Sequence, residues 1–123
     1  MYLNIKYLFI LIISISILLM KSSDAKYEKK FFDFSITSLD GSKIQLSKYK
    51  NNAVLLVNVA SNCGFTKQYG DMQKLWEMYK DKGLIVIGAP SNQFGSQEPG
   101  TNDEIKKFCK VNFNVNFPMT DKI

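Results

Sequence analysis

The chain contains no arginine and no histidine. All 16 basic side chains are therefore lysines, set against 11 acidic ones, for a net charge of +5. Without arginine the chain lacks the planar fork that grips bases and phosphates two bonds at a time, which weighs against nucleic-acid recognition. The lysines are scattered along the chain and read as a solvated surface. Without histidine it lacks the commonest general base and the commonest metal ligand. Cysteine is scarce as well. Cys63 and Cys109 are the only two, too few for a secreted disulfide scaffold. They read as two buried thiols, one bridge or a redox pair. What is present is apolar: 46% of the 123 residues are hydrophobic, enough for one domain with a packed core.

The first 25 residues differ in kind from the rest. A charge-free run from Tyr7 to Met20 lies between Lys6 and Lys21. It is short for a membrane span, which needs about 20 apolar residues. It suits the apolar region of a signal peptide, with Ser23 and Ala25 as the small residues before a cleavage point. An uncleaved signal anchor is the alternative, in which residues 7–20 would be the only membrane contact. Both readings place residues 1–25 apart from a domain at 26–123 and send the chain into the secretory route, to be secreted, lumenal or anchored. In plastid-bearing cells such a leader also forms the first half of a plastid address.

From residue 31 the pattern becomes compact. "FDFSITSLDGSKIQL" reads as a β-hairpin, with Phe32, Phe34 and Ile36 alternating, Asp40-Gly41 turning, and Ile44 and Leu46 resuming the alternation. "AVLLVNVA" reads as a central strand buried on both faces. "TKQYGDMQKLWEMYKDKG" reads as a helix with Met72, Leu75, Trp76 and Tyr79 at helical spacing and Gly83 as its cap. "LIVIGAP" is a second buried strand. "TNDEIKKFCKVN" is a helix opened by a Thr101–Glu104 capping box, with Ile105, Phe108 and Cys109 on its apolar face. "FNVNFPMTDKI" begins another extended segment. Strand, helix, strand in this order predicts an α/β fold with a parallel central pair.

In such sheets, reactive groups gather at the carboxyl ends of the strands. Cys63, in "NVASNCGFTKQY", sits there, between a strand and a helix. Positions at a helix entrance favour a thiolate over a thiol. Its neighbours Ser61, Asn62, Gly64 and Thr66 are a poor setting for a cysteine that merely packs.

The stretches "NVASNCGFTKQY", "GAPSNQFGSQEPGTNDEIKKFC" and "VNFPMTDKI" together resemble the glutathione peroxidases, in the form that uses cysteine rather than selenocysteine. The resemblance runs from about Phe31 to Ile123 and implies a thioredoxin fold with an added N-terminal β-hairpin. It implies that Cys63 is the peroxidatic residue, whose thiolate attacks the peroxide bond and becomes a sulfenic acid. It implies that Gln97 hydrogen-bonds the reacting sulfur. From the residues alone, Gln97 reads rather as a loop residue capping the next helix; it is the resemblance that turns the reading to the sulfur. Cys109 matches the cysteine that resolves the sulfenic acid as a disulfide in the members recycled by thioredoxin. Its alternative is to pack beside Ile105 and Phe108. The implied substrates are hydrogen peroxide and organic or lipid hydroperoxides, and the implied reductant is a thioredoxin-like dithiol or glutathione. No cofactor or metal is implied, and the role is a response to oxidative stress.

Two departures matter. The family pattern continues past "DKI" and supplies a Trp-Asn pair that completes its catalytic group; Trp76 does not map onto it. A non-catalytic product is therefore the rival expectation, and residues 26–123 alone are expected to aggregate or unfold in part. A thioredoxin-type exchanger is a weaker rival, since the second cysteine of its Cys-x-x-Cys motif is replaced by Thr66.

Overall fold

The computed structural model describes residues 30–123. The leader expected at residues 1–25 lies outside them. The hairpin forms, with β1 (Ser35–Thr37) antiparallel to β2 (Lys43–Gln45) and Ile36 opposite Ile44. Gly41 carries a φ of 81° in the turn, and Asp40 steadies it by accepting from the Ser42 N–H and Oγ of Ser38. These bonds hold the Asp40 carboxyl below the usual carboxylate range.

The hairpin is shorter than its alternation predicted. Phe32 falls in a 3-10 turn over Phe31–Asp33, and Leu46 opens another over Leu46–Tyr49. Strand periodicity was the wrong reading for both. Leu46 is buried from that turn and not from a strand.

β3 (Ala53–Val59) and β4 (Leu84–Pro90) pair in parallel, from Ala53 opposite Leu84 to Val59 opposite Pro90. Between them runs α1 (Gln68–Tyr79), closed through a short 3-10 turn by Gly83 at φ 91°. α2 (Asn102–Phe113) follows β4 and a loop. Its predicted capping box is present: Thr101 Oγ1 accepts from the Glu104 N–H, and Glu104 Oε2 accepts from the Thr101 N–H. Asn114, at φ 53°, ends the helix, and its N–H donates to the carbonyls of Cys109 and Lys110.

The predicted last extended segment joins the other edge of β4. Met119 bridges Gly88 in parallel, and Thr120 bridges Ser38 of the hairpin. The approach at Gly88 is close: a Cβ there would lie 3.3 Å from the Phe117 ring, so the ring would have to shift by a few tenths of an ångström. β4 is thus the covered strand, and its period-2 alternation feeds two cores. Val86 joins Leu39, Val59, Tyr69, Ile105, Cys109, Phe117 and Met119 on one face. Ile85 and Ile87 join Leu46 on the other, with Trp76 packed against both groups.

β3 corrects the sequence reading. It was expected to be central and buried on both faces, but β4 is its only strand partner among the described residues. Leu55 and Leu56 are 37% and 52% exposed, and only Val59 is buried. α1 forms as expected, with its apolar stripe only partly covered. Its buried residues are Tyr69 and Gln73; Met72 and Trp76 are half-buried and Tyr79 is exposed.

Candidate active site

β3 ends at Val59, and a series of tight turns carries the chain to the first residue of α1 at Gln68. Cys63 lies in these turns as a half-buried free thiol. Thr66 ties them together. Its Oγ1 accepts from the Cys63 N–H at 2.9 Å and stands 2.7–3.2 Å from the carbonyls of Cys63, Ala60 and Ser61. One hydroxyl proton serves only one of these carbonyls at a time. The Phe65 N–H points at the Cys63 sulfur, 3.4 Å away. The sulfur therefore sits against a backbone donor, as the sequence position led us to expect, although the donor belongs to the turn before α1 and not to the helix.

The loop between β4 and α2 supports this turn from the side. The buried carboxylate of Glu98, 1% exposed, accepts from the Ser61 N–H at 2.8 Å and from Ser61 Oγ at 3.1 Å. Asn92 Oδ1 in turn accepts from the Glu98 N–H at 2.9 Å. The Gln97 carbonyl accepts from the Asn62 N–H at 3.0 Å. Gln97 is thereby fixed beside the Cys63 turn through its main chain. Its side chain folds over Gly95, where an added Cβ would lie 3.8 Å from Nε2. Gln97 does not line the cleft at Cys63.

That cleft has a volume of about 60 Å³. Cys63, Phe65, Thr66, Met72 and Tyr69 are among its walls, with Val57 and Val59 from β3. A larger groove of about 700 Å³ runs along α2 and reaches Cys109 but not Cys63. The smaller cleft is the better candidate for thiol chemistry, because it holds the half-exposed sulfur and its N–H donor.

Cys109 is 1% exposed in the core, from the buried face of α2. Burial pushes its thiol up to about 11. The two cysteines are both free, and Tyr69 stands with both. Its ring walls the Cys63 cleft and belongs to the core cluster that contains Cys109. The ring also stacks on Phe113, centroids 5.5 Å apart. Tyr69 Oη is buried with no hydrogen-bond partner of good geometry. Cys109 lies in the same core cluster, and burial first, then Cys109 and Glu98, push the phenol upward. An unpartnered buried hydroxyl costs about 1–3 kcal/mol. Tyr69 and Glu98 were not singled out in the sequence. Tyr69 could have been, since 69, 72, 73 and 76 form a helical stripe; Glu98 left no such signal.

A thioredoxin-like α/β fold with one cysteine at the carboxyl end of a parallel strand defines the class. A thiol:disulfide interchange protein of the thioredoxin family from Chlorobium tepidum shares that fold (TM-score 0.60, 18% identity, over 72% of this chain and 56% of that one). The family is settled by sequence. The profile of the glutathione peroxidases matches residues 31–123, and the chain belongs to that family. It is 47% identical to a glutathione peroxidase of Lactococcus lactis subsp. cremoris over 93 residues, 76% of this chain and 59% of that protein. It is also 47% identical, with the same coverage, to the glutathione peroxidase-like peroxiredoxin gpx1 of Schizosaccharomyces pombe. The crystal structure of T. cruzi GPX1 superposes with a TM-score of 0.55 at 32% identity, over 77% of this chain and 56% of that one. The chain thus spans about three fifths of the length of these curated relatives.

Proposed function

We propose that the full protein is a thiol peroxidase that reduces hydrogen peroxide and organic or lipid hydroperoxides at Cys63. The observation that carries this reading is the seating of Cys63: a half-buried thiol after β3, held by Thr66, with the Phe65 N–H on its sulfur. A backbone donor at the sulfur favours the thiolate, which is the nucleophile. The thiolate attacks one peroxide oxygen. An S–O bond forms, the O–O bond breaks, and the leaving oxygen takes a proton to become water or an alcohol. Cys63 is left as a sulfenic acid. Gln97 is the side chain assigned to steady the sulfur or the leaving oxygen, from a loop already tied to the Cys63 turn at Asn62.

Cys109 then resolves the sulfenic acid. Its thiolate attacks the Cys63 sulfur, an S–S bond forms and the S–O bond breaks. The departing hydroxide takes up the proton released by the Cys109 thiol and leaves as water. Because Cys109 is buried, α2 must open near its end for the sulfurs to reach bonding distance. Opening there must release the carbonyl of Cys109 from the N–H groups of Asn114 and Val115, where α2 ends. A thioredoxin-type dithiol, or glutathione, returns the disulfide to two thiols. The reading places the protein in the response to oxidative stress.

The names of the relatives support this reading; those from S. pombe and Saccharomyces cerevisiae are called glutathione peroxidase-like peroxiredoxins. The test is turnover of hydrogen peroxide by the full-length protein with thioredoxin or with glutathione as reductant. Turnover with either supports the proposal, and its absence from a folded protein overturns it. The secretory route of residues 1–25 belongs to the same proposal. N-terminal sequencing of the mature protein tests it, a start near residue 26 being the expected result and an intact Met1 on a soluble protein the contrary one.

A further inference from the structure

Tyr69, like Val59, belongs to both halves of the chemistry proposed above, and of the two it alone carries a polar group. It walls the Cys63 cleft, and it shares the core cluster with Cys109. It is 3% exposed, yet its hydroxyl has no hydrogen-bond partner of good geometry. Folded proteins seldom leave such a group unpaired, and the exceptions tend to have a role. The charge states nearby show what would pair it. A neutral thiol is a weak acceptor, whereas a thiolate is a strong one.

We propose that Tyr69 is a positioning residue for the resolving step, its buried hydroxyl donating a hydrogen bond to the Cys109 sulfur as that sulfur becomes a thiolate. The bond offsets part of the cost of forming the anion before α2 opens and the sulfur moves to Cys63. The inference rests on the reading of Cys109 as the resolving cysteine. Tyr69 is well held for the task, since its ring stacks on Phe113 of α2, the helix that carries Cys109. Two ionisable groups face Cys109 from other elements, Tyr69 from α1 and Glu98 from the loop before α2. The groove that reaches it along α2 is bordered by Asp40, Asp103, Lys106, Lys107 and Lys110. Glu98 opposes the thiolate and Tyr69 favours it. The direction of the Tyr69 effect is thus opposite to that of Glu98.

The balance of the step is the one given above: the Cys109 thiolate displaces hydroxide from the Cys63 sulfenic acid, and no other oxidant or reductant enters. Tyr69 keeps its proton throughout.

The test uses Tyr69→Phe in the full-length protein, which removes one oxygen and keeps the ring. In a Cys63→Ser background Cys109 is the thiol to be followed, and the ¹³Cβ shift of labelled cysteine reports its ionisation. Tyr69→Phe should move that midpoint to higher pH. With both cysteines present, one equivalent of peroxide should then give a ratio of disulfide formation to sulfenic acid formation lowered by about tenfold, the scale of a hydrogen bond to a charged sulfur. A role in packing alone would leave the midpoint where it is. An unmoved or lowered midpoint, with the Cys63–Cys109 bridge still forming, overturns the assignment of Tyr69. Absence of that bridge in the protein with Tyr69 intact overturns the resolving role of Cys109, and this proposal with it.

Discussion

The carboxylate of Glu98 grips Ser61 twice, through the N–H at 2.8 Å and through Oγ at 3.1 Å, two residues before Cys63. A buried anion held by neutral donors is a demanding contact, because each donor lost leaves charge without compensation. The contact joins the loop that carries Gln97 to the turn that carries Cys63. Replacing Glu98 with Ala should leave the Ser61 N–H unpaired and lower stability by about 1–3 kcal/mol. Glu98→Gln, which retains one acceptor oxygen, should lose less. Urea denaturation of the two variants beside the native protein checks the order; equal loss in both would mean that the carboxylate oxygens do not hold Ser61.

Cys63→Ser should remove peroxide reduction, since an alcohol is a far weaker nucleophile than a thiolate near neutral pH. The variant should keep its fold, because the sulfur receives one N–H and lies half-buried. Stopped-flow consumption of hydrogen peroxide by the full-length protein is the measurement. Native-like consumption by the serine variant would place the nucleophile elsewhere.

Cys109→Ser separates the two chemical steps. Sulfenic acid should still form at Cys63, but recycling by thioredoxin should stop, and Cys63 should pass to the sulfinic acid with excess peroxide. Intact-mass spectra taken over successive additions of peroxide distinguish this from normal cycling, which would leave Cys109 with a packing role only.

The buried thiol also predicts a pH dependence of stability. Burial raises Cys109 from 9.0 to about 11. Below about 9 the thiol is protonated whether the chain is folded or unfolded, and its contribution to stability is whole. Between these values the unfolded chain gives up the proton and the folded one does not, so stability falls as pH rises, by on the order of 2 kcal/mol. Tyr69, raised as well, adds to the fall at the alkaline end. Urea midpoints at about pH 8 and about pH 11 should therefore differ less in Cys109→Ala than in the native protein. An identical difference in both would show that Cys109 does not titrate across this window.

How far these features could be read beforehand depended on whether they leave a local pattern. β4 and α2 did, through the apolar run from Leu84 to Pro90 and the Thr101–Glu104 box, and both are present. Cys63 was legible because strand, polar turn and helix follow one another in sequence. β3 was misjudged for a physical reason: an apolar run records what a strand can bury, not what lies against it. Leu56 is apolar and half in water. The Phe32 and Leu46 positions alternated as a strand would, but the turns over Phe31–Asp33 and Leu46–Tyr49 took them. The contacts of Glu98 with Ser61 and the shared core of Tyr69 and Cys109 join residues far apart in the chain. Nothing local in the sequence announces them.

The central claim is that Cys63 and Cys109 form one redox pair. Peptide mapping of the full-length protein without reductant, after one equivalent of hydrogen peroxide, tests it most directly. The account predicts a disulfide-linked peptide containing Cys63 and Cys109, which a thioredoxin-type dithiol then separates. Cys63 accumulating as an oxidised acid while Cys109 stays a free thiol would contradict it.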